Sequence, residues 1–179
     1  LRHLADQTAG FEKPGGYGKL LFAPGTKWFY SDGGPNWVAE CLTRAYGRDL
    51  DAVMSERIFT PLGITRRDIV WREHAYRPKE IDGVKRREFG SGFNANVHAM
   101  ARLGLLYLRG GEWRGTRLLP AEFVRLAGRP APELRGLAEQ DDTHGNASEH
   151  YSLLWWNNGD GTLAGVPRER PQGLGVGRG

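Results

Sequence analysis

The sequence predicts an α+β fold, mostly helical, with a few short antiparallel strands. Apolar residues recur at three-to-four spacing in three stretches, starting at Trp37, Leu50 and Val97. Extended runs are short and stop at glycine-rich turns, and no repeat or linker divides the chain before Ala164. With 179 residues, 39% hydrophobic and 26% charged, the composition is that of one soluble globular domain.

A short helical start at Leu1–Leu4 gives way to Lys13-Pro14-Gly15-Gly16-Tyr17-Gly18, a loop by its turn residues. After the Pro24-Gly25-Thr26 turn, Lys27 to Tyr30 forms a short extended run that stops at Ser31-Asp32-Gly33-Gly34. Pro35 and Asn36 suit a helix start. Trp37, Val38, Cys41, Leu42, Ala45 and Tyr46 define its core face, and Gly47 ends it. A second helix starts near Asp49, with Leu50, Val53, Met54 and Ile58 on one side, and must end before Pro61, since the residue before a proline leaves the helical region.

Thr65 to Phe89 is polar and irregular, a long loop with short extended pieces. Asn96 caps a third helix whose apolar face is Val97, Met100, Leu103, Leu106 and Tyr107, closed by Gly110-Gly111. Trp113 to Leu119 reads as a hairpin around Gly115, and Pro120 opens a helix running to Leu126. A polar loop from Arg129 to His150 leads to Tyr151–Trp156, the best strand candidate, which ends at a turn through Gly161. Residues 1–163 form one domain on this reading. The tail from Ala164 to Gly179, rich in Gly, Pro and Arg, lacks the apolar residues to order itself.

Several functions are disfavoured. The net charge of +4 is spread among acids, and its one basic run, Lys85-Arg86-Arg87, reads as a solvated loop, so no nucleic-acid partner is indicated. The single Cys41 cannot form an internal disulfide and fits a small buried hydrophobe. Five histidines without a metal-ligand spacing predict no metal and no cofactor. Gly15-Gly16-x-Gly18 lacks the ending of a phosphate loop, and Gly90-Ser91-Gly92 lacks the Gly-x-Ser-x-Gly elbow. No stretch reads as a signal peptide or membrane span. Leu1 opens the chain in mid-pattern, so the sequence reads as an internal piece and its localisation stays open.

Pro24-Gly25-Thr26-Lys27-Trp28-Phe29-Tyr30-Ser31-Asp32-Gly33-Gly34-Pro35-Asn36 is the most specific stretch. It resembles the Pro-Gly-Thr-x-x-x-Tyr-Ser-Asn-Gly-Gly-x-Asn segment of the serine β-lactamase and penicillin-binding-protein superfamily, which includes class C β-lactamases, D,D-carboxypeptidases and related esterases. Leu1 to Gly10 resembles its Leu-Leu-x-His-Thr-Ser-Gly stretch, Phe59-Thr60-Pro61-Leu62-Gly63 its Pro-Leu-Gly turn, Gly90 to Leu106 its Gly-Gly-x-x-Ser-Thr helix start, and Tyr151 to Gly161 its Tyr-Gly-Leu-x-Trp-Trp strand.

The resemblance implies the helical subdomain of that fold, from a parent that hydrolyses a small ester, amide or β-lactam-like substrate through an acyl-enzyme. It implies an exported, periplasmic or secreted parent, although a cytoplasmic one stays open, and leaves the oligomeric state unknown. Tyr30 would be the general acid or base, its pKa lowered from about 10 by a neighbouring ammonium. Trp155 and Ser91 would contact substrate. Asp32 replaces the motif asparagine, and a carboxylate accepts where an amide can donate. Either the substrate differs from a β-lactam or acyl-D-Ala-D-Ala peptide, or Asp32 only caps the following helix.

Two motifs have no match. Three residues after Ser31, Ser55, Ser91, Ser148 and Ser152 stand Gly34, Ile58, Asn94, Tyr151 and Trp155, so no Ser-x-x-Lys is present. No Lys-Thr-Gly or His-x-Gly follows Trp156. The chain alone is therefore expected to be inactive, and a non-catalytic ligand-binding or interaction protein on the same scaffold is the alternative.

Overall fold

The computed structural model describes residues 1–141, 149–159, 161, 164–165 and 171–172. A one-turn helix, α1 (Arg2–Ala5), leads through a loop to β1 (Lys27–Trp28) and the longest helix, α2 (Gly33–Tyr46). Gly47, at φ 58°, ends α2 with the left-handed cap its position predicts. Next, α3 (Leu50–Met54) runs without a break into a π-helical turn at Ser55–Phe59, which stops before Pro61. Asp49 caps α3 by accepting the Asp51 amide.

The expected irregular stretch contains β2 (Ile69–Trp71) and a hairpin of β3 (Glu80–Ile81) and β4 (Val84–Lys85). Then β5 (Phe93–Ala95) returns to pair with β2, Trp71 opposite Phe93. Asn96 caps α4 (Val97–Leu108) by accepting the Ala99 amide, and the hairpin of β6 (Glu112–Trp113) and β7 (Thr116–Arg117) turns at Gly115. The chain continues through α5 (Ala121–Ala127), a 3-10 turn at Pro132–Leu134 and β8 (Ala138–Glu139), to β9 (Tyr151–Ser152), β10 (Trp155–Asn157) and β11 (Pro171–Gln172). Strand β8 pairs with β1 in parallel, while the other strand pairs among the described residues are antiparallel. Within the expected tail, Pro171–Gln172 adds an edge to β10, and most of its remaining residues lie outside the described residues.

Three apolar clusters fill the interior. One packs Ile58, Phe59, Leu62, Ile64 and Ile69 on Ala99 and Leu106 of α4. A second joins Trp28, Leu134 and Tyr151, and a third joins Ala39, Leu50 and Trp71.

Four local expectations are corrected. In α2 the buried positions are the first turn, Gly33 to Asn36, and then Ala39, Glu40 and Thr43, while Cys41 is exposed. The reason is polar. Glu40 turns inward because the buried Arg77 guanidinium lies 3.0 Å from its carboxylate and Arg86 3.5 Å. The Lys85-Arg86-Arg87 run is therefore no solvated loop: Arg86 is 4% exposed, donating to the Pro78 and Glu80 carbonyls, and Arg87 binds Asp49. In α4, Leu103, Leu106 and Tyr107 pack inward as expected, but at the helix start Val97 is 74% and Met100 46% exposed while Ala99 is buried.

The fourth correction divides the strand expected at Tyr151–Trp156 into the hairpin β9–β10, turning at Leu153-Leu154. Both leucines have positive φ, 48° and 67°, which two-residue hairpin turns require but bulky side chains disfavour. The rest of the fold holds the turn in place. Leu153 donates its amide to Asp6 Oδ1 at 2.7 Å and Leu154 to the Ala5 carbonyl at 3.0 Å. Asp6, almost fully buried and paired with Arg2, has its pKa raised by burial.

His74 offers a test of this polar interior. It is 1% exposed, and its Nδ1 accepts the amides of Tyr76 and Arg77, which fixes the neutral tautomer with the proton on Nε2. Burial, with the Arg77 charge adding to it, pushes its pKa from 6.5 down to about 4. Between those values the unfolded chain binds the extra proton and the folded chain does not. The stability contribution is therefore complete above pH 6.5 and is lost as pH falls toward 4, by up to about 1.4 kcal/mol per pH unit. In His74→Asn, which keeps an acceptor but cannot titrate, urea unfolding at pH 7 and pH 5 will show a smaller difference than in the unaltered chain. An equal difference would contradict the assignment.

Candidate active site

Tyr30 and Asp32 leave β1 in a segment that one side chain holds on both edges. Gln7 Nε2 donates to the Ser31 carbonyl at 3.0 Å, and Gln7 Oε1 accepts the Ser31 amide at 3.2 Å. The Phe29 amide bonds the Gln7 carbonyl, and the Asp32 amide the Lys13 carbonyl. Gln7 adopts φ 61°, a conformation that the surrounding contacts must sustain. Sequence reasoning missed Gln7. It carries no periodic signal, and the one hint was its place in the stretch resembling Leu-Leu-x-His-Thr-Ser-Gly.

The helix after Asp32 enters at close quarters. A methyl group on Gly34 would lie 2.8 Å from the Leu4 carbonyl oxygen, so glycine lets α2 abut α1. Asn36, 1% exposed, reaches from α2 to the opposite wall: its Oδ1 accepts the Phe89 amide at 2.8 Å. Phe89 and Gly90 are thereby set against Tyr30 and Asp32, enclosing a cleft of about 100 Å³ also lined by Gln7, Ser31, Pro35, Tyr151 and Leu154. A larger hollow of about 300 Å³ near Phe59 and Ile69 includes none of the four candidate residues.

The Tyr30 ring packs among Trp28, Trp156 and Tyr151, with centroids 6.1, 5.7 and 6.3 Å away. Its pKa is raised, not lowered as the resemblance led one to expect. Burial is the main cause, a hydrogen bond with Trp156 opposes it, and the Asp32 charge adds to it. The lining includes no lysine or arginine that could act as the expected ammonium. In this chain Tyr30 is therefore a neutral phenol at pH 7.

Asp32 does not cap α2 through its side chain. Its φ and ψ are −81° and −15°, helical rather than extended, and the Asn36 amide bonds the Asp32 main-chain carbonyl. The carboxylate faces the cleft, and its pKa is raised by burial and by Glu88, with Arg72 and Lys13 opposing. A methyl group on Gly90 would lie 2.6 Å from Asp32 Oδ1.

The other two candidates sit outside this lining. Ser91 is exposed, donating its hydroxyl to Glu88 Oε1 at 2.6 Å and accepting from Arg72. Trp155 faces α4, with its ring 4.2 Å from that of Tyr107 and its indole N–H on the Tyr107 hydroxyl. Burial pushes the Tyr107 pKa up to about 12. Strand alternation puts neighbouring side chains on opposite faces, so Trp156 rather than Trp155 joins Trp28 beside Tyr30.

Among the described residues no group of three or more His, Cys, Asp or Glu is placed to hold a metal ion. No described helix is long and apolar enough to cross a membrane.

A family model for β-lactamase matches residues 1–171. The chain belongs to the β-lactamase family. Solved structures share its fold at low identity. A Bacteroides dorei protein assigned as a β-lactamase has a TM-score of 0.68 at 19% identity, covering 87% of this chain and 51% of that one. A Bacillus anthracis protein assigned as a 6-aminohexanoate-dimer hydrolase gives 0.62 at 19%, covering 87% and 46%. A β-lactamase/D-alanine carboxypeptidase from Yersinia pestis gives 0.56 at 20%, covering 87% and 52%. The chain thus spans about half the length of these structures. No curated protein matches it.

Packing at the cleft predicts opposite outcomes for two glycines. Gly90→Ala, forced against Asp32, will lose about 1–3 kcal/mol in urea denaturation. Gly104→Ala, in mid-α4 with open space around it, will gain about 0.5–1 kcal/mol. A neutral Gly90→Ala would contradict the described contact.

Proposed function

We propose that this chain forms the tyrosine wall of a β-lactamase-type serine hydrolase, which cleaves a small ester or amide through an acyl-enzyme. The supporting observation is the double clamp of Gln7 on Ser31, which sets Tyr30 and Asp32 side by side at a cleft. In acylation a serine oxygen attacks the substrate carbonyl carbon, the base takes the serine proton, and the same group returns a proton to the leaving oxygen or nitrogen. Water then repeats the sequence and releases the acid.

Tyr30 is the residue this reading assigns to that exchange, and its burial sets the rest of the requirement. A buried phenol becomes a base only when a cation is brought beside it, and the cleft lining supplies none. The serine and the ammonium come from a Ser-x-x-Lys segment outside residues 1–179. The second reading is a chain that by itself binds ligand without turnover. The raised pKa of Tyr30 is consistent with the absence of turnover in the isolated chain.

Incubation with a fluorophosphonate or a fluorescent penicillin, followed by intact mass, will leave the 179-residue chain unmodified. Stoichiometric labelling would contradict the account. When the chain is joined to a Ser-x-x-Lys helix segment, labelling will appear and Tyr30→Phe will slow it by about 10²–10⁴-fold, the usual scale of acid–base catalysis. An unchanged rate would remove Tyr30 from the role.

A further inference from the structure

Asp32 brings to the cleft a charge that its lining does not answer. Its carboxylate can accept several hydrogen bonds, yet among the described residues it accepts none, because the helical backbone at Asp32 turns the side chain away from the α2 amides. Two cations, Arg72 and Lys13, lie within electrostatic reach, but neither lines the cleft or bonds the carboxylate. Arg72 holds Glu88 and Ser91, and Lys13 is exposed. The other side chains of the lining are uncharged, and Tyr30, Tyr151 and Phe89 add aromatic surface, which attracts cations.

Resting on the reading of this cleft as the substrate site, we propose that Asp32 is a specificity-determining residue that selects substrates carrying a primary ammonium next to the scissile ester or amide. The carboxylate accepts from the ammonium in a partly desolvated site, where charge-assisted bonds are strongest. Aromatic surface covers its alkyl stem. A cleft of about 100 Å³ suits a small aminoalkyl group. An asparagine here would present a donor as well as an acceptor and would lose the charge preference.

The test uses the full chain and needs no turnover. Propylammonium, propanol and propionate are titrated at pH 7.5 and constant ionic strength, with binding read from the amide shifts of Asp32 and Gly90 and from tryptophan emission. Propylammonium will bind at least about tenfold more tightly than propanol, and propionate least. Asp32→Asn, shown to be folded by its amide spectrum, will equalise propylammonium and propanol. Tyr30→Phe will keep the preference, so failure of Tyr30 as acid–base group would leave this result standing. Equal binding of cation and alcohol, a preference that survives Asp32→Asn, or no shift up to about 100 mM would overturn the assignment.

Discussion

The cleft depends on one buried guanidinium. Arg77 donates through Nε to the Gly15 carbonyl, through Nη2 to Gly16 and through Nη1 to Glu40, while its plane lies over Tyr17 and Trp37 at 4.5 and 4.7 Å. A buried ion pair is weak evidence for stability, because desolvation offsets much of the attraction, but with its bonds satisfied it fixes orientation. Here it fixes the rotation of α2 about its own axis. With Glu40 inward, Cys41 and Tyr46 face solvent, while Asn36 points at Phe89 and Asp32 stands at the cleft.

That interaction also explains what the sequence concealed. Periodicity located α2, but its apolar residues named the wrong face, since Trp37 is covered by Phe11, Tyr17 and Arg77 at the edge of the core. Features set by local chemistry were legible: the helix start near Asp49, the cap at Asn96, the stop before Pro61 and the turn at Gly115. Features set by contacts distant in sequence were not. Asp6 and Ala5 hold the Leu153-Leu154 turn across almost the whole chain, and nothing in those two leucines announces a turn.

The candidate site divides the same way. A specific motif brought out Tyr30 and Asp32, and the structure gathers them at one cleft. Trp155 and Ser91 lie outside its lining, whereas Trp156, the next residue of the same strand, packs on the tyrosine ring and Gln7, which no motif singled out, clamps Ser31 beside it. The electrostatics follow from burial: both Tyr30 and Asp32 are pushed toward their neutral forms, and cations, Arg72 and Lys13, oppose this at Asp32 but not at Tyr30.

The central claim is that Arg77, by orienting α2, holds the two walls of the cleft together. Hydrogen exchange on Arg77→Lys tests it directly, since lysine keeps the charge but lacks the planar fork that reaches three acceptors. The account predicts faster exchange at Asp32, Asn36 and Phe89, while Leu62 and Ile64 in the α4 cluster keep their protection. Unchanged exchange at Phe89, or loss of protection spread evenly through the chain, would contradict it.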